Sequence, residues 1–231
     1  MPDPAIAVSK ARVAIKSFRF QTSLVLQEST GLRASTLPLL VKLLRSVPDA
    51  SIYYHTHYFL LQHNYLTPEP TNDLAYWVTH VLGEVRLGEQ LASIDTMAHV
   101  NLTTLREELA TTIEQYLETS PTSHLRFVAE GEEFFFMKAV HIILPTPYTA
   151  STLLEFAQGL ERVSIGSLYF HIFDARLRLG QPTNDFAQWF TEQLGLSRLA
   201  EIVAKLDPYS YSLEMLRSTL LTLMREELQL L

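Results

Sequence analysis

The sequence predicts an α+β, helix-dominated protein made of two tandem similar halves. Each half is a strand or hairpin followed by about four helices, and the halves are related by a pseudo-two-fold axis. Three observations predict this. The stretch Ser51–Asp95 recurs in shortened form as Ser167–Asp207, both reading Ser-apolar-Tyr-aromatic-His, then Pro-Thr-Asn-Asp, then a helical pattern carrying Trp. A strand-like run precedes each copy, at Phe18–Leu26 and at Phe134–Leu144. Between and after these runs, apolar residues recur at helical spacing. The reading divides the chain into an N-terminal arm at 1–15, a first repeat at 16–119, a linker at 120–125 and a second repeat at 126–231.

Composition sets the functional bounds. The chain has 231 residues, 47% apolar and 19% charged, so a packed core is expected and long disorder is not. No apolar run approaches the roughly 18 residues of a membrane span. The two prolines and broken apolar pattern of MPDPAIAVSKARVAIK make a poor signal peptide, and a cytoplasmic protein is expected. There is no cysteine, which excludes disulfides, thiolate nucleophiles and Cys-ligated metals. With 18 basic against 25 acidic residues and no basic cluster, the chain lacks the electrostatic footprint of a nucleic-acid binder or a basic membrane-surface helix.

Element by element, Phe18, Phe20, Thr22, Leu24 and Leu26 alternate with polar residues as in a half-buried strand, which Glu28–Gly31 is expected to close as a turn. A helix follows from Thr36 to Ser46, with Thr36 as N-cap and Pro38 in the first turn, where it costs nothing. Ser51–Tyr65 suits strand or helix locally. Its second copy, with Leu168, Ile172, Ala175 and Leu179 on one stripe, decides for helix in both. Thr67–Thr71 is a proline turn, and Asn72 caps a helix with Leu74, Trp77, Val78 and Val81 inward until Gly83. Leu87, Leu91 and Ile94 mark a short helix, and Leu102 to Tyr116 a longer one. In the second half, Arg126–Phe134 reads as a hairpin turning at Gly131, and Phe134–Leu144 as a strand. Thr152 with Glu155 forms a capping box, and the helical order then repeats to a terminal helix through Leu228.

The internal match is detailed. An offset of 116 carries Phe18 and Phe20 onto Phe134 and Phe136, Ala34–Leu37 onto Ala150–Leu153, and Tyr53 and His55 onto Tyr169 and His171. Over Asn72–Asp95 and Asn184–Asp207, 12 of 24 positions are identical, and Arg106 then falls opposite Arg217. A period of about 110 residues is too long for a solenoid, so two similar domains or halves are expected, with the two strands able to join one small sheet.

Among polar residues, His55, His57 and His63 suggest a metal site. However, His55 and His57 point about 200° apart on a helix, and only His171 recurs in the second copy. Metal binding is therefore the weaker reading, and no cofactor is expected. His171 and Asp174, three apart on a helix, could orient a general base, although Tyr58 holds the corresponding place in the first copy. Asn72–Asp73 and Asn184–Asp185 are accounted for as helix caps with a dipole partner, and Trp77 and Trp189 as core anchors. Tyr53, His55, Tyr169 and His171 keep the best claim to a ligand or partner site. No Gly-x-Gly-x-x-Gly, P-loop or Gly-x-Ser-x-Gly elbow occurs.

The pieces YYHTHYFL, PTNDLAYWV, TASTLLEF, GSLYFHIFDARLRLGQPTNDF and KLDPYSYSLEMLR resemble a bacterial family of unknown function with paired Tyr-x-His and Asn-Asp-x-Ala-x-Trp motifs. The resemblance runs from about Phe18 onward and implies no activity, cofactor or catalytic residue. Two readings follow. The first is a soluble, non-catalytic binding or scaffolding protein with an aromatic- and His-lined pocket or partner surface for a protein or small molecule, which also allows a homo-oligomer. The alternative is a small-molecule enzyme or metal-binding protein using His55 and His171. The lack of a catalytic constellation favours the first.

Overall fold

The computed structural model describes residues 12–62, 71–96, 98–206 and 212–230. Two long strands, β1 (Phe18–Ala34) and β2 (Phe134–Ala150), pair in a two-stranded antiparallel sheet, and helices dominate the rest. After β1 come α1 (Leu37–Leu44), α2 (Asp49–Tyr53), one π turn (Tyr54–Tyr58), α3 (Phe59–Gln62), α4 (Asp73–His80), α5 (Val85–Ala92) and α6 (Leu102–Thr119). After β2 come α7 (Leu153–Arg162), α8 (Ile165–Tyr169), a second π turn (Phe170–Asp174), α9 (Ala175–Leu179), α10 (Asp185–Leu194), α11 (Ser197–Ala204) and α12 (Leu213–Leu230).

The chain forms two compact units. The central unit is Val25–His141, and the terminal unit joins Met1–Leu24 to Ile142–Leu231. Each strand therefore contributes its first half to one unit and its second half to the other. In the central unit, Phe134 and Phe136 of β2 pack into a core built from Leu37, Leu40, Leu74, Trp77, Leu105 and Ile113. In the terminal unit, Phe18 of β1 packs edge-on against Phe156 and Phe186, and Phe20 packs edge-on against Phe186 and tilted against Phe156, with Trp189 beside them. Burying such rings contributes about 2–3 kcal/mol each, which makes these strand segments the main ties between ribbon and helices.

Local chemistry explains the helix starts. Thr36, Asn72, Asn101, Thr152 and Asn184 each accept a hydrogen bond from the backbone N–H three residues on, as N-caps. Asn72 and Asn184 also donate their amides to the carbonyls of Leu91 and Val203, so each cap sews α4 to α5 or α10 to α11.

Three expectations are corrected. Glu28–Gly31 does not close the first strand, because β1 runs on to Ala34. Gly31 takes a left-handed φ of 74°, its N–H is accepted by Ser29 Oγ, and Thr30 donates to the Phe136 carbonyl of β2. The turn-like residues thus tie the ribbon instead of ending it. Arg126–Phe134 is not a hairpin, although Gly131 does turn at φ 92°. The residues before that turn dock instead, Val128 N–H on the Ser35 carbonyl. Finally β2 extends past Leu144 to Ala150 through Pro145 and Pro147, which a ribbon with open outer edges accommodates. The described part of Ser51–Tyr65 is helical as expected, but broken by the π turn. Of the 1–15 arm, Arg12–Ile15 lie within the described residues and are docked. Arg12 Nη1 donates to the carbonyls of Leu194 and Gly195, and Ala14 N–H to that of Ser151.

Candidate functional site

The two Tyr-x-His motifs build the same device twice. In the central unit, Ser51 and His55 lie four residues apart on α2 and the π turn, so both reach one strand residue, Met137. Ser51 Oγ donates to the Met137 carbonyl at 2.6 Å, and the Met137 N–H donates to His55 Nε2 at 3.0 Å. His55 Nδ1 pairs with Asp73 Oδ2 at 2.7 Å. In the terminal unit, Ser167 Oγ donates to the Gln21 carbonyl at 2.6 Å, and the Gln21 N–H donates to His171 Nε2 at 2.8 Å. His171 Nδ1 pairs with Asp185 Oδ2 at 2.7 Å.

The donors assign the protons. A backbone N–H can only donate, so Nε2 of each histidine carries a lone pair and Nδ1 carries the hydrogen given to the carboxylate. Each motif is a neutral imidazole against a charged carboxylate. Burial pushes the His171 pKa below the usual histidine range, against the opposing pull of Asp185. Burial would raise the Asp185 carboxyl, but hydrogen bonds from His171 and Arg178 and the Arg178 charge outweigh it and hold it below the usual range.

The structure redistributes the sequence candidates. Asp185, not Asp174, is the carboxylate on His171, and Asp73 serves His55 likewise while standing at the positive end of its helix. Asp174 is buried. Tyr53 and Tyr169 are core residues. The Tyr53 ring stacks on His57 and meets His141 edge-on at 4.5 Å, and Tyr169 packs on Phe173. His57 is fully buried, with Nδ1 against Thr56 Oγ1, and burial with nearby His99 pushes its pKa down to about 4. His63 lies outside the described residues. Among the described residues no three His, Asp or Glu side chains cluster as metal ligands. Both tryptophans are buried as expected, and their indole N–H groups grip the segments before the strands: Trp77 donates to the Glu132 carbonyl, Trp189 to that of Lys16.

Sequence reasoning missed Ser51, Ser167, Arg12 and Arg126. Arg126 reaches the carbonyls of Leu82 and Gly83 after α4, and Arg12 those of Leu194 and Gly195 at the end of α10. The serines carried a readable signal, since each precedes its histidine by four residues, the spacing of one helix face. The matched pair Arg106 and Arg217 proves structural, Nη1 of each donating to two carbonyls at the end of α1 or α7.

One of the candidates, His171, also lines a cleft of about 750 Å³ lying wholly within the terminal unit. Phe18 and Trp189 form its apolar wall, and Lys16, Arg19, Arg178 and Gln188 line it with polar groups. Arg178 is fixed there by Asp185 Oδ2 at 2.7 Å and by stacking 4.2 Å over the Phe170 ring. At the sequence offset of 116, Gln62 of the central unit is the counterpart of Arg178, and Asp73 is a third exposed.

Among the described residues, no helix is long and apolar enough to cross a membrane. No curated protein matches the chain. A solved structure described as that of OrfY from Thermoproteus tenax is similar to it, with 27% identity over 93% of this chain and 96% of that one, at a TM-score of 0.79. Residues 15–225 match a family of unknown function, DUF5752. The chain belongs to that family.

Proposed function

We propose that the protein is a non-catalytic binding or scaffolding module, descended from a tandem duplication, whose ligand or partner site is the polar cleft beside His171. One observation carries this reading: each Tyr-x-His histidine has both ring nitrogens engaged, one by a carboxylate and one by a strand N–H. A general base needs a free lone pair within reach of substrate, and a metal ligand needs one for the ion. Here that lone pair holds the ribbon to the helices. The repeated Ser–His grip, Trp grip, Asn cap and Arg clamp support descent of both halves from one ancestor. The alternative of an enzyme or metal protein using His55 and His171 would require the latches to open.

The test is metal analysis and imidazole NMR on the purified full chain. Metal-free protein, with the His55 and His171 nitrogens undisturbed by added zinc while ligands shift cleft resonances, is the expected result. Stoichiometric metal that disappears in folded His55→Ala and His171→Ala variants would overturn it.

A further inference from the structure

The cations around the terminal-unit cleft are not demanded by the fold. The Trp189 and Trp77 indoles donate to corresponding carbonyls, which places Lys16 opposite Glu132 and, three residues on, Arg19 opposite Phe135. By the same offset Arg178 stands where the central unit has Gln62. Three positions occupied by Glu, Phe and Gln in one unit are thus Lys, Arg and Arg in the other, within a chain of net charge −7. At Lys16 the structural work is done by the backbone, its N–H donating to Gln193 and its carbonyl accepting from Trp189. The Lys16 and Arg19 residues are exposed, and neither side chain forms an ion pair with a described residue. Of the acids lining the cleft, Asp185 is already met by His171 and Arg178, and Glu192 accepts from Gln188.

We infer that this cleft binds a small oxyanion, carrying a carboxylate or phosphate group, through Lys16, Arg19 and Arg178 against the Phe18–Trp189 wall. The inference rests on reading the protein as a binding module. Its volume falls within the range of about 300–1,000 Å³ typical of small-molecule sites. Guanidinium forks match carboxylate and phosphate oxygens two at a time, and Arg178 is held in place before any ligand arrives. A site already ordered loses less entropy on binding.

The test uses the full chain, with inorganic phosphate and citrate as probes, by calorimetry and by the NMR signal of the Trp189 indole N–H. The comparison is a Lys16→Glu/Arg19→Phe double variant carrying the central unit's own residues, with an unchanged melting transition as the check on folding. Saturable binding of either anion is expected, weakened about tenfold or more both in the double variant and between 50 and 500 mM salt. Phosphate alone would point to a phosphoryl ligand, citrate alone to a carboxylate one. Equal affinity in the double variant overturns the inference. Neutral fragments that shift cleft resonances while both anions leave them still would overturn it too, but leave the binding reading standing. If no probe of either kind moves the cleft, both fall.

Discussion

The backbone N–H of Gln21 donates to Nε2 of His171, 150 positions later in the chain, at 2.8 Å. The same bond joins Met137 to His55. Both bonds dictate one tautomer, a neutral imidazole protonated on Nδ1. Imidazole nitrogen NMR at neutral pH should therefore show His55 and His171 as Nδ1–H, with Nε2 shifted as a hydrogen-bond acceptor. An Nε2–H signal from either residue would refute the latch.

Removing a latch should cost stability in proportion to what it leaves unpaired. His171→Ala orphans the Gln21 N–H and one bond of Asp185, and opens a cavity beside Phe18 and Phe186. Together these predict a loss of about 3 kcal/mol, read as a lower guanidinium midpoint. A loss below about 1 kcal/mol would mean that the strand is held by its phenylalanines alone.

How much of this was legible in the sequence follows from distance along the chain. The Asn72 and Asn184 caps were readable because a cap closes on the N–H three residues away. The course of β1 past Gly31 was not, because Thr30 is satisfied by Phe136, 106 positions away. Local spacing likewise pointed His171 to Asp174, while its partner Asp185 lies 14 residues on, past the turn. Both histidines were found by their recurrence, but recurrence alone could not separate catalytic need from structural need. The distinction rests on strand N–H groups that no local pattern announces.

A further prediction concerns close packing of β1 on α7. Gly159 sits where an added Cβ would come within 2.6 Å of the Phe20 ring. Phe20 is fully buried beside Phe18 and Phe156, so the ring has little room to yield. Although alanine is the better helix former, Gly159→Ala should therefore destabilise, by about 1–3 kcal/mol. Thermal denaturation decides: an unchanged or raised Tm would show that the ring can move aside.

Acid sensitivity should concentrate on His57. This imidazole is buried in the central unit against Tyr53, with His141 on the same tyrosine, while Phe173 holds the corresponding position in the terminal unit. Its pKa is depressed from 6.5 to about 4, chiefly by burial. The folded state therefore binds the proton less readily than the unfolded one. Stability is full above about pH 6.5 and falls as pH drops toward 4, because the unfolded chain protonates first. A shift of that size amounts to roughly 3 kcal/mol at the acid end. His171, lowered in the same direction, adds to the same limb. His57→Phe, which installs the terminal unit's own residue, should cost about 1–3 kcal/mol at pH 7.5, since the larger ring must be fitted and the contact with Thr56 is lost. The variant should also lose most of the decline between pH 6.5 and 4.5 in denaturant midpoints measured across that range. A parallel decline in both proteins would instead place the acid sensitivity at His171 or at the paired carboxylates.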